Sequence, residues 1–224
     1  MFHIIDNVLN NNELAAVLSA AQKLKFGKGE SSAGRLAEAV KRNLQAVDFD
    51  KSDAHRQVMQ KLARHAEFKA AALPERISSL LLSKYLPNMA YGHHFDSPLM
   101  AAGLIRTDIA FTLFLTDPAS YDGGELEISL GAGSDANVMR YKLPVSSMIV
   151  YPAHHLHGVA RVTSGERLAI VGWVQSAIPD AAQREVIREL NGVRARLRQL
   201  QGEENAALAL ERATANLTRM WIRR

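Results

Sequence analysis

The chain has 224 residues, 47% of them hydrophobic and 22% charged, with a formal net charge of +4 and no cysteine. That composition is typical of a globular protein, and it excludes disulfides, thiolate metal sites and a cysteine nucleophile. No apolar run approaches the roughly 18 residues needed to cross a bilayer. The opening Met-Phe-His-Ile-Ile-Asp lacks the basic and apolar regions of a secretory signal, so a cytoplasmic protein is expected.

Residues 1–76 are expected to form a mainly helical support. Asn11 or Asn12 can cap a helix through Leu14, Val17, Leu18, Ala21 and Leu24, which keep helical spacing. Residues 27–34 read as a loop, and a second helix is expected from about 33–36. A third follows Ser52 or Asp53, with Val58, Leu62 and Ala66 on one face, and Pro74 ends the zone. Residues 77–178 change character. Short apolar runs at 85–88, 109–115, 125–128, 148–151, 158–162 and 167–174 alternate with Gly, Pro, Asp and Asn. Many short strands with turns between them predict a double-sheet core. Residues 179–224 return to helix. Asp180 with Gln183 resembles a capping box, and Val186, Ile187, Leu190, Val193, Leu197 and Leu200 keep helical spacing. A last helix is expected over 203–222. The fold class is therefore α+β, a jelly-roll core with N-terminal supporting helices and a C-terminal helical pair. That pair offers a surface on its own domain or for a homo-oligomer.

Without cysteine, a transition-metal site must use histidine and carboxylate, which suits Fe(II) or Mn(II) better than structural zinc. Tyr91-Gly92-His93-His94-Phe95-Asp96 is the strongest local signal. Alternate side chains of a strand share a face, so His94 and Asp96 are expected to project together. A third ligand can come from Tyr151-Pro152-Ala153-His154-His155-Leu156-His157. Five of the eight histidines lie in these two segments. Two histidines and one carboxylate, with open coordination positions, form the facial triad of non-haem Fe(II) oxygenases. His155 shares strand parity with His157 and competes with it as the distal ligand.

Arg167 opens the strand that follows. A buried arginine there can pair bidentately with a carboxylate, and the distal carboxylate of 2-oxoglutarate is the natural partner. A plain hairpin through Ser164-Gly165 would put Arg167 and His157 on opposite faces of one sheet. They share a pocket only if the chain crosses between two sheets or carries a bulge, and a jelly roll provides that crossing. The spacing to Arg167 favours His157 over His155.

These segments resemble the bacterial PKHD-type hydroxylases, prolyl-4-hydroxylase-like Fe(II)/2-oxoglutarate dioxygenases. The resemblance rests on Tyr85 and Pro87 through Gly92, His94-Phe95-Asp96, Arg106 through Leu115, Tyr121 through Leu126, Tyr151 through His157, and Arg167 through Ser176. Residues 33–43 also match an N-terminal pattern of the family. The resemblance covers about residues 25–178. It implies His94, Asp96 and His157 as iron ligands, and Arg167 and Tyr91 as contacts to 2-oxoglutarate. It implies Fe(II), 2-oxoglutarate, O₂ and L-ascorbate as cofactors, and a prolyl or peptidyl residue or a small metabolite as substrate. His93, His154 and His155 depart from the family pattern.

His93, on the opposite strand face, is expected at the surface, and His154 is expected to be exposed. Asp108 is read as a core hydrogen-bonding residue, Gly123-Gly124 as a turn and Trp173 as core that walls the pocket. Arg106 and Lys41 are candidate substrate contacts, with a solvated charge as the default reading for each. Two rival functions use the same fold: a non-catalytic metal or 2-oxoglutarate sensor, and a nucleic-acid demethylase. The basic charges lack interleaved aromatic residues, which argues against a nucleic-acid partner. No membrane partner is expected.

Overall fold

The computed structural model describes residues 2–32, 35–100, 103–131 and 137–223. The N-terminal third holds β1 (His3–Ile5), α1 (Asn11–Lys23), β2 (Phe26–Lys28), α2 (Arg35–Glu38), β3 (Lys41–Arg42) and β4 (Leu44–Ala46). It continues with α3 (Asp53–Arg64), α4 (Ala66–Ala72) and β5 (Pro74–Ile77). The central strands are β6 (Leu81–Tyr85), β7 (Ala90–His94), β8 (Leu99–Met100), β9 (Ile105–Arg106), β10 (Ile109–Phe114), β11 (Asp122–Gly123) and β12 (Leu126–Ser129). Then come β13 (Val138–Tyr141), β14 (Met148–Pro152), β15 (His157–Val159), β16 (Val162–Ser164), β17 (Arg167–Ser176), α5 (Ala181–Leu197) and α6 (Glu204–Trp221).

Two antiparallel sheets form a jelly roll. The larger runs β1-β14-β10-β17-β6-β4-β2, with β5 on the far end of β17. The smaller runs β13-β12-β15-β7-β3. All six residues of β10 are buried. The reason is that the large sheet is covered on both faces, which turns an alternating pattern into a continuous apolar run. Ile109, Phe111 and Leu113 face the helical layer, together with Val58 and Leu62 of α3 and Phe68 of α4. Ala110 and Phe114 face inward, against Leu126 and Ile128 of the small sheet. The same alternation along β17 sends Leu168, Ile170 and Val174 to the helices and turns Trp173 inward.

The mainly helical expectation for residues 1–76 is corrected in detail. α1 and α3 form where the spacing predicts, but α1 is capped by Asn10 in a capping box with Glu13 rather than by Asn11 or Asn12, and α3, capped by Ser52, stops at Arg64 so that Ala66 opens α4. Five strands, β1 to β5, accompany the helices, however. β1 extends one edge of the large sheet, β4 and β2 extend the other, and β3 extends the small sheet. These strands have two to four residues each, too few to show an alternating pattern, and are defined by the partners they pair with. The expected strand at 85–88 lies earlier, at Leu81–Tyr85, because the chain turns at Asn88 with a left-handed φ of 72°. The expected strand at 158–162 divides into β15 and β16. Ala33 and Gly34, the expected start of the second helix and of the family's N-terminal pattern, lie outside the described residues.

α5 starts at Asp180, whose side chain accepts from the Gln183 N–H, and α5 packs on α6 and α4. Among the described residues, no helix is long and apolar enough to cross a membrane.

The Phe68 and Phe111 rings meet edge to face, with centroids 5.5 Å apart, where α4 covers the sheet. Phe111→Ala is expected to cost about 3–5 kcal/mol of stability. Urea denaturation measures this, and a loss below about 1 kcal/mol would show that the helical layer does not depend on the contact.

Candidate metal centre

β7 and β15 pair so that His94 stands directly opposite His157. β7 ends at His94, so Asp96 lies two residues past the strand rather than within it. The turn out of the strand still brings its carboxylate between the imidazoles. His94 Nε2 is 4.0 Å from Asp96 Oδ1, and His157 Nε2 is 3.7 Å from Asp96 Oδ2. One ligand atom from each side chain lies within 4.8 Å of the others, and no other group of three His, Asp or Glu does so among the described residues.

The backbone orients both rings. His94 Nδ1 lies 2.9 Å from the Gly92 carbonyl and His157 Nδ1 lies 3.0 Å from the His155 carbonyl. A carbonyl only accepts, so each Nδ1 carries the proton and each Nε2 lone pair points into the cluster. Burial and the adjacent His157 push the His94 pKa down to about 3, which keeps its ring in the neutral, ligating form. Burial raises the Asp96 pKa, against the pull of His157, the Trp173 indole and Lys41. Asp96 Oδ2 is buried and makes no hydrogen bond. Tyr91 stacks on His94 with centroids 3.7 Å apart, and Tyr151 meets His157 edge-on at 5.5 Å.

The cluster opens into a cavity of about 360 Å³ between the sheets. Arg167 lines the same cavity from β17 and is 1% exposed. The chain reaches it by leaving the small sheet after β15, pairing β16 with β11 and joining the large sheet. The crossing required by the sequence is therefore present, and a register shift between β15 and β7 accompanies it. The Arg167 guanidinium lies over the rings of Tyr85 and Phe114, at 5.1 and 5.3 Å. Its Nε is buried without a hydrogen bond, and no carboxylate among the described residues pairs with it. A buried guanidinium left so is costly, and a carboxylate-bearing ligand would complete it.

The remaining candidates sort by position. His155 Nδ1 turns to the Ser129 carbonyl at 3.2 Å, away from the cluster. His93 projects to the other side of β7, 3.4 Å from Glu127. Asp108 accepts from Arg106 at 2.7 and 2.9 Å and from the Ser176 N–H, so both residues of this pair serve the structure. Lys41 departs from its expected solvated state: it is 4% exposed and lines the cavity. Burial lowers its pKa to about 8, against the raising influence of Asp96 and Glu30.

Tyr85 and Tyr121 have buried hydroxyls near Arg167, Asn43 is a side-chain partner of Tyr85, and no role follows for them from local sequence. Tyr85 stands opposite Arg167 in the β6–β17 register. Burial raises the Tyr121 pKa, with Arg167 beside it pulling the other way. The signal for Tyr121 is the Gly123-Gly124 pair that follows. Gly124 has φ of +69°, and a Cβ there would meet the Arg167 side chain, Tyr121 and Val162 at 3.0 Å each.

A jelly roll with a His-Asp-His cluster and a buried arginine in one cavity is the architecture of a 2-oxoglutarate-dependent Fe(II) oxygenase. Residues 80–175 match the family model described as the 2OG-Fe(II) oxygenase superfamily. A PKHD-type hydroxylase of Hyphomonas neptunium is 40% identical over 223 residues, covering 97% of this chain and 98% of that protein. The chain belongs to the PKHD-type hydroxylases, and it is a 2-oxoglutarate- and Fe(II)-dependent dioxygenase. In fold it is similar to a prolyl-4-hydroxylase of Pseudomonas putida, with TM-score 0.59, 16% identity, and coverage of 78% of this chain and 92% of that one. It is also similar to a Trichoplax adhaerens prolyl hydroxylase solved with a hypoxia inducible factor peptide fragment. There the TM-score is 0.58, with 15% identity and coverage of 77% and 82%.

The His94 shift sets a pH dependence for the metal-free protein. Its folded pKa, about 3, lies below the ordinary 6.5, so the unfolded chain takes the proton first. The stabilising contribution is present above pH 6.5 and is lost as the pH falls from 6.5 toward 3. Urea melts between pH 7 and pH 4 are expected to show a steeper loss for the native sequence than for His94→Ala. Parallel slopes would contradict the assignment.

Proposed function

We propose that His94, Asp96 and His157 hold one Fe(II) and that Arg167 binds the distal carboxylate of 2-oxoglutarate. The enzyme then hydroxylates a prolyl or peptidyl residue or a small metabolite, with release of succinate and CO₂. One observation carries this: a buried arginine with no acidic partner shares a cavity with a preformed two-histidine, one-carboxylate cluster. The donor set fits the metal, since imidazole and carboxylate suit Fe(II) and three protein ligands leave positions open. When bound, Fe(II) and 2-oxoglutarate together supply O₂ activation, one oxygen atom going to succinate and the other to the product hydroxyl.

The chain's own residues bind, orient and exclude. The Gly92 and His155 carbonyls fix the imidazole tautomers, so no ring must turn on metal binding. Arg167 presents a planar donor fork held between Tyr85 and Phe114, which supports a fixed orientation of the cosubstrate. Tyr121 and Tyr85 add hydroxyls at this end. Tyr91 is included as a second contact to 2-oxoglutarate, and its stacking on His94 supports the ligand ring. Trp173 and Tyr151 wall the metal side with apolar surface, which limits water. Ascorbate belongs to the same proposal, as the reductant that keeps the iron ferrous.

Two measurements test these assignments. Alanine at His94, Asp96 or His157 is expected to abolish stoichiometric Mn(II) or Fe(II) binding, read by calorimetry, together with succinate formation. Metal binding retained at full affinity in the His157→Ala protein would remove His157 from the ligand set. Arg167→Met is expected to raise the KM for 2-oxoglutarate about tenfold or more in substrate-free turnover. An unchanged KM would place the cosubstrate carboxylate elsewhere.

A further inference from the structure

The inner face of the large sheet carries a polar row beside Arg167. Gln45 pairs with Ser83 and Leu44 with Lys84 in the β4–β6 register, so the next step of that antiparallel ladder brings Asn43 level with Tyr85. Tyr85 in turn stands opposite Arg167. Residues level with one another in a ladder point to one side of the sheet, and Asn43, Tyr85 and Arg167 all line the cavity. Asn43 is 4% exposed, and neither polar atom of its amide makes a well-formed hydrogen bond among the described residues. Keeping an amide out of water in that state costs free energy, which a contact completed by a ligand can offset.

Two neighbours define what the amide can do. The Gly29 N–H donates to the Asn43 carbonyl at 2.9 Å, and a Cβ at Gly29 would collide with Asn43 Oδ1, so the glycine backbone packs directly on the oxygen side of the amide. This leaves the Nδ2 side for Tyr85, whose hydroxyl is the side-chain partner of Asn43. Burial raises the Tyr85 pKa, and Arg167 and Asn43 pull it down. A neutral neighbour lowers a phenol's pKa by presenting a donor to its oxygen, so Asn43 acts toward Tyr85 as a donor. A phenol oxygen that accepts from the amide keeps one proton of its own to give. The Arg167 guanidinium cannot take that hydrogen bond, since it carries donors alone. The Tyr85 O–H is left for an acceptor in the cavity next to Arg167.

We propose that Asn43 is a positioning residue: its Nδ2 donates to the Tyr85 oxygen and so turns the Tyr85 O–H toward the distal carboxylate of 2-oxoglutarate, as a second donor beside Arg167. The contact between Asn43 and Tyr85 closes to a full hydrogen bond as the carboxylate accepts from Tyr85, in the way that loose hydrogen bonds of a ligand-free site tighten on binding. The inference rests on the cosubstrate assignment above and extends it to the residue between β3 and β4.

The full chain loaded with Mn(II) is titrated by calorimetry with 2-oxoglutarate and with oxalate, which can chelate the metal and has no distal carboxylate. Asn43→Leu is expected to weaken 2-oxoglutarate about fivefold or more and to leave oxalate within about twofold. Asn43→Asp, whose carboxylate accepts rather than donates, is expected to lose at least as much, and it carries the test alone if the leucine variant does not fold. In a Tyr85→Phe protein, which has lost the hydroxyl, the same Asn43 substitution is expected to add less than about twofold. Unchanged 2-oxoglutarate binding in the Asn43 variants overturns the proposal. So does an equal loss for oxalate, which marks a disturbed fold, and so does an undiminished loss in the Tyr85→Phe protein, which would make Asn43 an independent contact. An Arg167→Met protein that binds 2-oxoglutarate as tightly as the native chain would instead overturn the cosubstrate assignment, and this proposal with it.

Discussion

The pairing of β15 with β7 places His157 opposite His94, and the site depends on that cross-strand contact. A two-histidine metal centre needs both Nε2 atoms turned to one point without the loss of freedom that two mobile side chains would bring. Here the rings are fixed before any ligand arrives. Their positions come from the strand register and their tautomers from two backbone carbonyls. Gly158, next to His157, permits the approach: a Cβ there would come within 2.7 Å of the Tyr91 carbonyl oxygen.

The electrostatics follow from burial between two sheets. Taking His94 out of water favours its neutral form, which is the form that ligates. The same burial leaves Arg167 charged without an acidic partner and raises the cost of leaving it so. Neither condition would arise on an open sheet face. The helical layer on the outer face of the large sheet contributes indirectly: it covers the β10 and β17 residues that do not face the cavity and so holds the inner face in place.

The sequence and the structure agree best where the signal is local. The capping residues of α3 and α5, the buried strands β10, β14 and β17, and the His-x-Asp pair are readable because a few neighbouring residues define each. Agreement is weakest for β1 to β4. Each is too short to carry a period and forms only because a sheet edge is available to pair with. Lys41 shows the same limit at the level of one residue. A lysine between Val40 and Arg42 has no local mark of burial, and its place in the cavity follows from the pairing of β3 with β7.

The sequence by itself determined the chemistry on offer: a cysteine-free chain, histidines gathered in two segments, an aspartate two residues from one of them and an arginine ten residues after the other. It also set the condition that the chain must cross between sheets for His157 and Arg167 to meet. The spacing to Arg167 favoured His157 over His155, and the tertiary structure supplied the physical separation of the two rings. His155 and His157 share strand parity, and they separate because one ring turns to the Ser129 carbonyl while the other is held opposite His94. Only the packing of the two sheets put Lys41 and Tyr85 into the same enclosed space, because residues far apart in the chain come together through pairing rather than local preference.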